Sequence, residues 1–100
     1  MDKYLVKVYP RAYRDLDGIY TYIAGTLLEP ATASKMVDEL ENAIFNLETF
    51  PERGAIRRTG AYANQGYRQL FHKNYTIIYR VLREKKEVHI ITVRYTPSNF

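Results

Sequence analysis

Apolar and polar residues alternate near the start of the chain, and then the period changes. Between Lys3 and Tyr9, the residues Tyr4, Val6 and Val8 alternate with Lys7 and Tyr9, the period-2 pattern of a strand with one buried face. Pro10 ends that pattern, because it has no N–H for a ladder and suits the first turn of a helix. From about Pro10 to Leu27, Ala12, Leu16, Ile19, Tyr20, Ile23 and Leu27 recur at spacings of three and four, while Arg11, Arg14, Asp15 and Asp17 take the other side. This predicts an amphipathic helix. Glu29-Pro30 interrupts it, since the residue before proline resists the α region. A second helix is predicted from Pro30 to about Glu48, with Ala33, Met36, Val37, Leu40, Ala43, Ile44 and Leu47 inward and Glu39, Glu41 and Glu48 in solvent. So short a break predicts an antiparallel helical hairpin.

Beyond the hairpin the helical period is lost. Phe50 to Gly66 contains Pro51, Gly54, Gly60 and Gly66 and reads as one loop of 17 residues, long for a compact domain. Three strands follow: Tyr67 to His72, Tyr75 to Leu82 after a tight turn at Lys73-Asn74, and Val88 to Arg94 after the polar turn Arg83-Glu84-Lys85-Lys86. Turns this short impose antiparallel pairing. Ile77, Ile78, Val81, Val88, Ile90, Ile91 and Val93 suit inner strands covered by the hairpin. The expectation is an α+β fold in the order β-α-α-β-β-β, with the N-terminal strand and the helical hairpin packed on one face of a small, mostly antiparallel sheet. Tyr20 and Tyr79 fall on apolar stripes and are expected in the core, whereas Tyr62, Tyr67 and Tyr75 are expected at the surface.

The 100 residues correspond to one domain, expected to span 1–100. Cysteine is absent, so neither a disulfide nor a thiolate metal site nor a cysteine nucleophile can form. Together with an N-terminus, Met1-Asp2-Lys3-Tyr4, that lacks a signal-peptide pattern, this points to the cytoplasm. No apolar run approaches the ~20 residues that span a bilayer. Charge is unevenly divided: residues 1–50 carry 5 − 8 = −3 and residues 51–100 carry 10 − 3 = +7. Such asymmetry steers acidic partners, either nucleic acid or an acidic protein segment, to one side of the molecule.

The cations define candidate contacts. Arg57 and Arg58 lie between glycines in the long loop, where a solvated loop is the simpler reading and contact with a polyanion the functional one. Arg68 follows an aromatic residue in a strand, Lys73 occupies a hairpin turn, and Arg94-Tyr95 closes the last strand, where a tyrosine can stack on a base or donate a proton. His72 and His89 have no second ligand at metal spacing and read as surface or packing residues. Glu52, in the Pro-Glu-Arg-Gly turn, reads as a loop-shaping residue before it reads as a base. The chain contains no Gly-rich phosphate cradle, no HExxH and no nucleophile–His–Asp arrangement. No nucleotide cofactor and no metal are expected.

Several stretches resemble the RelE/ParE superfamily, the toxins of bacterial type II toxin–antitoxin pairs. They are Pro10 to Ile23; Leu47-Glu48-Thr49-Phe50-Pro51-Glu52-Arg53-Gly54, the most specific; Tyr67-Arg68-Gln69-Leu70; Asn74 to Val81; and Val88 to Tyr95. Together they cover nearly the whole chain in the family's order. The resemblance implies a toxin neutralised by a co-expressed antitoxin, through which it can also oligomerise. It further implies one of two mechanisms: poisoning of DNA gyrase without hydrolytic chemistry, as in ParE-like members, or cleavage of mRNA on the ribosome, as in RelE-like ones. RelE-like ribonucleases resemble one another in an arginine just before the central strand's apolar-apolar-Tyr segment. Thr76 holds that position here, before Ile77-Ile78-Tyr79, and a threonine lacks the planar charged fork that clamps a phosphate. The tail, Arg94 to Phe100, has no histidine. These departures favour the ParE-like reading. Arg68, Lys73, Arg94 and Tyr95 remain the catalytic candidates of the ribonuclease reading, and a non-toxic homologue that only binds its antitoxin is a third possibility.

Overall fold

The computed structural model describes residues 3–98. Met1-Asp2 and the tail residues Asn99-Phe100 lie outside the described residues. β1 (Leu5–Val8) leads into α1 (Pro10–Thr21), a wide π-helical turn (Tyr22–Thr26), α2 (Pro30–Phe45) and a closing 3-10 turn (Asn46–Glu48). Then come β2 (Ala55–Ile56), β3 (Arg68–His72), β4 (Tyr75–Leu82) and β5 (Glu87–Tyr95). The described strands form one mixed sheet in the order β1-β5-β4-β3-β2. Only β1, which runs parallel to β5, departs from antiparallel pairing. This is the α+β fold expected from the sequence, with one addition: β2.

Both helices begin at a proline in the first turn, where its missing N–H costs nothing and its fixed φ is already helical. They cover one face of the sheet. Ala12 and Leu16 of α1 and Leu40 and Ile44 of α2 pack with Leu47, Ile77, Tyr79, Val88, Ile90 and Val93, and nearly all of these side chains are fully buried. Each fully buried aliphatic side chain contributes about 1.5–3 kcal/mol through area removed from water. Tyr79 lies at the centre of this core, as expected.

Three expectations are corrected. First, the α-helix stops at Thr21 and continues as a wider turn in which the amide of Leu27 bonds the carbonyl of Tyr22. The extra residue in that turn rotates Leu27 off the inward stripe, leaving it about half exposed, and the chain then leaves through Leu28 at φ 57°. Second, Tyr20 is 41% exposed. The buried stripe follows Ala12, Leu16 and Ile23, and Tyr20 sits at its margin, one residue (~100°) past the half-buried Ile19. Third, Tyr75 is buried: it heads β4 beneath the groove described below.

The long loop is not structureless. Ala55 and Ile56 pair with Gln69 and Arg68, and the Arg57 amide bonds the Tyr67 carbonyl. Two residues are too few to register as a period. β4 and β5 are joined through a bulge, where Ile78 faces Thr92 but Tyr79 faces Ile90, so that Ile91 is the extra residue. Beyond Ile90 no described strand flanks β5 on the β1 side. Asp15 of α1 covers that edge, accepting the Val93 amide (3.0 Å) and the Thr92 hydroxyl.

Candidate functional site

The Phe50–Gly54 turn is locked to the sheet. Tyr79 reaches through the core so that its hydroxyl accepts the Gly54 amide at 2.8 Å. Burial pushes the Tyr79 phenol up from its usual range. Arg68 points to the same side, donating from Nη1 to the Gly54 carbonyl at 2.7 Å and lying 3.7 Å from Glu52 through Nη2. Glu52 also pairs with Arg83 from the β4–β5 turn. A side chain at position 54 would run into the Gln69 carbonyl and the Tyr79 hydroxyl, so only glycine fits. Arg68 and Glu52 therefore hold a corner of the fold together.

Arg57 is also committed to structure. Its side chain is 6% exposed, with Nε on the Ala61 carbonyl at 2.6 Å and Nη1 on the Gln69 side chain at 2.9 Å. The solvated loop arginine expected from the sequence is thus corrected: Arg57 is the internal strut of that loop, and burial removes it from contact with a polyanion. Neighbouring Arg58 is exposed. Glycines that flank an arginine do not distinguish these two outcomes. What does is the tertiary position of Gln69, 12 residues downstream.

Lys73 and His72 both meet Glu39 on α2, at 2.9 Å and 2.7 Å. The hydrogen bond from Lys73, then that from His72, holds the Glu39 carboxyl below its ordinary range. Glu39, expected in solvent, is half-buried as the shared anion of this cluster. His89 is held likewise. Its Nε2 faces Glu87 at 2.8 Å and its Nδ1 meets the Tyr9 hydroxyl at 2.8 Å, while Lys7 pairs with Glu87 at 3.0 Å. The bond from His89, then that from Lys7, lowers the Glu87 carboxyl. Among the described residues no group of three or more His, Cys, Asp or Glu is arranged to hold a metal ion.

Arg94 and Tyr95 are adjacent and therefore face opposite sides of the sheet. Tyr95 stacks edge-on against Tyr75, on the helical side. Arg94, half-buried, projects from the open side opposite Thr76, whose hydroxyl is buried against that of Thr96 at 2.7 Å. The structure therefore does not gather Arg68, Lys73, Arg94 and Tyr95. The first two are paired with carboxylates on the helical side, and the last two are split between faces.

What the helical side does form is a groove of about 690 Å³ between α1, the wide turn, α2 and the start of β4. Ile19, Tyr22, Ile23, Leu27, Met36, Tyr75 and Tyr95 make it largely apolar, and Arg14, Asp15, Thr32 and Asn74 rim it. Burial, aided by neighbouring Tyr95 and Tyr22, raises the Tyr75 phenol. Sequence reasoning missed Tyr22 and Asp15 here. The helical period records only which residues leave water, whereas the groove is lined in part by the wide turn, through Tyr22 and Ile23.

No described helix is long and apolar enough to cross a membrane. A comparison with curated proteins returned no match. Among solved structures, the chain is similar to a chain of the chromosomal ParDE toxin–antitoxin system from P. aeruginosa, at 25% identity and TM-score 0.75, over 93% of this chain and 96% of that one. It shares its fold with a chain of the toxin–antitoxin complex RelBE2 from Mycobacterium tuberculosis (20% identity, TM-score 0.68, 93% and 98% covered). It also shares it with a mutant of the E. coli toxin RelE in the free state (14%, 0.60, 96% and 86%). The model of the ParE toxin of the type II toxin–antitoxin system parDE matches residues 6–100. With 95 of 100 positions matched in a β-α-α sheet of the same architecture, this chain belongs to the ParE toxin family of type II toxin–antitoxin systems.

Proposed function

We propose that this toxin acts as a gyrase poison without hydrolytic chemistry and is kept silent by a cognate antitoxin. The observation that carries this reading is the dispersal of the residues a ribonuclease would use. Activating a 2′-hydroxyl, neutralising a scissile phosphate and protonating a leaving oxygen require groups converging within hydrogen-bond reach of one site. Arg68 and Lys73 are neutralised by Glu52 and Glu39, Arg94 and Tyr95 face opposite ways, and Thr76 is buried. Family membership supports the same branch.

The antitoxin reading is supported by the ParDE system to which the chain is similar and by the apolar groove. Tyr22, Leu27 and Tyr95 are each about half exposed along it, and Leu28 beside it is 78% exposed. Exposed apolar area of this kind marks an interaction surface. An apolar antitoxin segment laid in the groove would remove it from water.

The deciding experiment is a titration of DNA gyrase supercoiling with antitoxin-free toxin. Inhibition that is reversed by adding the antitoxin is expected. Normal supercoiling, together with cuts inside codons in primer extension on translated mRNA, would replace this reading with the ribonuclease one.

A further inference from the structure

Helix α1 has a second face that the chain itself does not use. Arg11, Arg14, Gly18 and Tyr22 follow at spacings of three and four, so they share one side of the helix over about 16 Å. The buried stripe of Ala12, Leu16 and Ile23 points elsewhere. Arg14, Gly18 and Tyr22 line the groove, and Arg11 lies one turn before them.

Gly18 stands in the interior of α1, where glycine loses more chain entropy than any other residue. Nothing in this chain requires it. A methyl group at position 18 would meet no atom within 4 Å beyond its own helix, and the residue is exposed. Gly54 is the opposite case, with the Gln69 carbonyl and the Tyr79 hydroxyl leaving no room for a side chain. A gap kept open in the wall of a groove lets the backbone of another chain come close. The charges beside the gap are unspent. Arg11 and Arg14 are exposed, and among the described residues neither forms an ion pair. Asp15, the carboxylate that lines the groove, is taken by the Thr92 hydroxyl and the Val93 amide. Asp17 lies round the helix from Arg14 on the side away from the groove. At the far end, exposed Leu27 and Leu28 are followed by Glu29, so that end suits apolar groups and not carboxylates.

We propose that Arg11, Arg14 and Gly18 are the residues with which this toxin selects its antitoxin. The antitoxin segment in the groove lies along α1. It sets carboxylates over Arg11 and Arg14, brings its backbone closest at Gly18 and turns apolar side chains to Tyr22 and Leu27. This selection rests on the groove being the seat of the antitoxin, and it adds which antitoxins are accepted. An equally apolar segment that lacks the acidic end, or that carries a bulky side chain where it passes Gly18, is rejected.

The test is the affinity of the full chain for the antitoxin encoded beside it, measured by biolayer interferometry, with Tm recorded for each variant. Arg11→Glu combined with Arg14→Glu should weaken binding at least ~10-fold, chiefly by slower association, because charges at a rim act on the encounter. The loss should shrink as salt rises from about 0.05 to 0.5 M, over which the screening length falls about threefold. Gly18→Leu should weaken binding roughly 5- to 150-fold, as overpacking a close contact does, chiefly by faster dissociation. Its Tm should nevertheless rise, because leucine is the better helix former and the space at position 18 is open. Glutamate is favoured near a helix N-terminus, so the double variant should not melt below wild type. Tyr22→Asp, in the apolar part of the groove, should weaken binding through the groove itself. If Tyr22→Asp weakens binding while either the double arginine variant or Gly18→Leu binds like wild type, selection by this face is overturned and the groove remains the antitoxin's seat. If all three variants bind like wild type, both fall.

Discussion

Gly54→Ala should be among the most destabilising small substitutions in this protein. The new methyl group meets two obstacles at once: the Gln69 carbonyl on β3 and the Tyr79 hydroxyl at 2.8 Å. The carbonyl is backbone and is held by the β2–β3 pairing, so it cannot swing aside. Tyr79 is fully buried in the centre of the core and cannot move without opening a void. Overpacking of this kind costs about 1–3 kcal/mol. Displacing the turn also breaks the 2.8 Å bond from the Gly54 amide to Tyr79, and an unsatisfied buried group costs about 1–3 kcal/mol more. The total is about 2–6 kcal/mol, and at ~4–8 °C per kcal/mol for a domain of this size Tm should fall by at least ~8 °C. Thermal and urea unfolding followed by circular dichroism measure it. A double variant, Gly54→Ala with Tyr79→Phe, discriminates further. Removing the hydroxyl clears one obstacle and leaves the Gln69 carbonyl, so stability should not return. A Gly54→Ala protein melting within about 2 °C of wild type would refute the close-approach argument, and full rescue by Tyr79→Phe would show that the carbonyl is not an obstacle.

Two further outcomes follow from the charge pairs and the sheet edge. Asp15→Ala leaves the Val93 amide and the Thr92 hydroxyl without their acceptor at the uncovered edge of β5. It should cost about 1–3 kcal/mol and speed hydrogen exchange at the Val93 amide, and unchanged protection there would show that α1 does not hold this edge. Stability should depend on pH at both ends of the range. Glu39 and Glu87 are lowered below 4.5 in the folded state, so their stabilisation is present above the unfolded value and lost as pH falls through the folded one. Tyr79 and Tyr75 are raised above 10.0, so theirs is present below that value and lost as pH rises through the folded one. Glu39→Gln should flatten the acid limb of a Tm-against-pH curve, and an identical acid limb would count against the Lys73–Glu39–His72 cluster.

Much of the fold is legible in the sequence because its signals are local. The period-2 run at Tyr4, Val6 and Val8, the helical stripe from Ala12 to Ile23, the prolines at positions 10 and 30 and the short turns at Lys73-Asn74 and Arg83–Lys86 each depend on neighbours within about one turn or one hairpin. Order and type of elements follow from them, as does the RelE/ParE resemblance carried by Phe50 to Gly54. Partnership is not local. The sequence places Arg57 beside Arg58 in a glycine-bounded loop, yet folding buries one against Ala61 and Gln69 and leaves the other in water. The roles of Arg68, Lys73 and Glu39 were likewise decided by carboxylates or cations 16 to 34 residues away. Tertiary structure alone set which cations are neutralised, how the wide turn after Thr21 comes to line the groove, and how register brings Lys7, His89 and Arg80 into one row. The physical reason is that hydrophobic periodicity reports only which side of an element leaves water. What a polar side chain meets there depends on how separate elements dock.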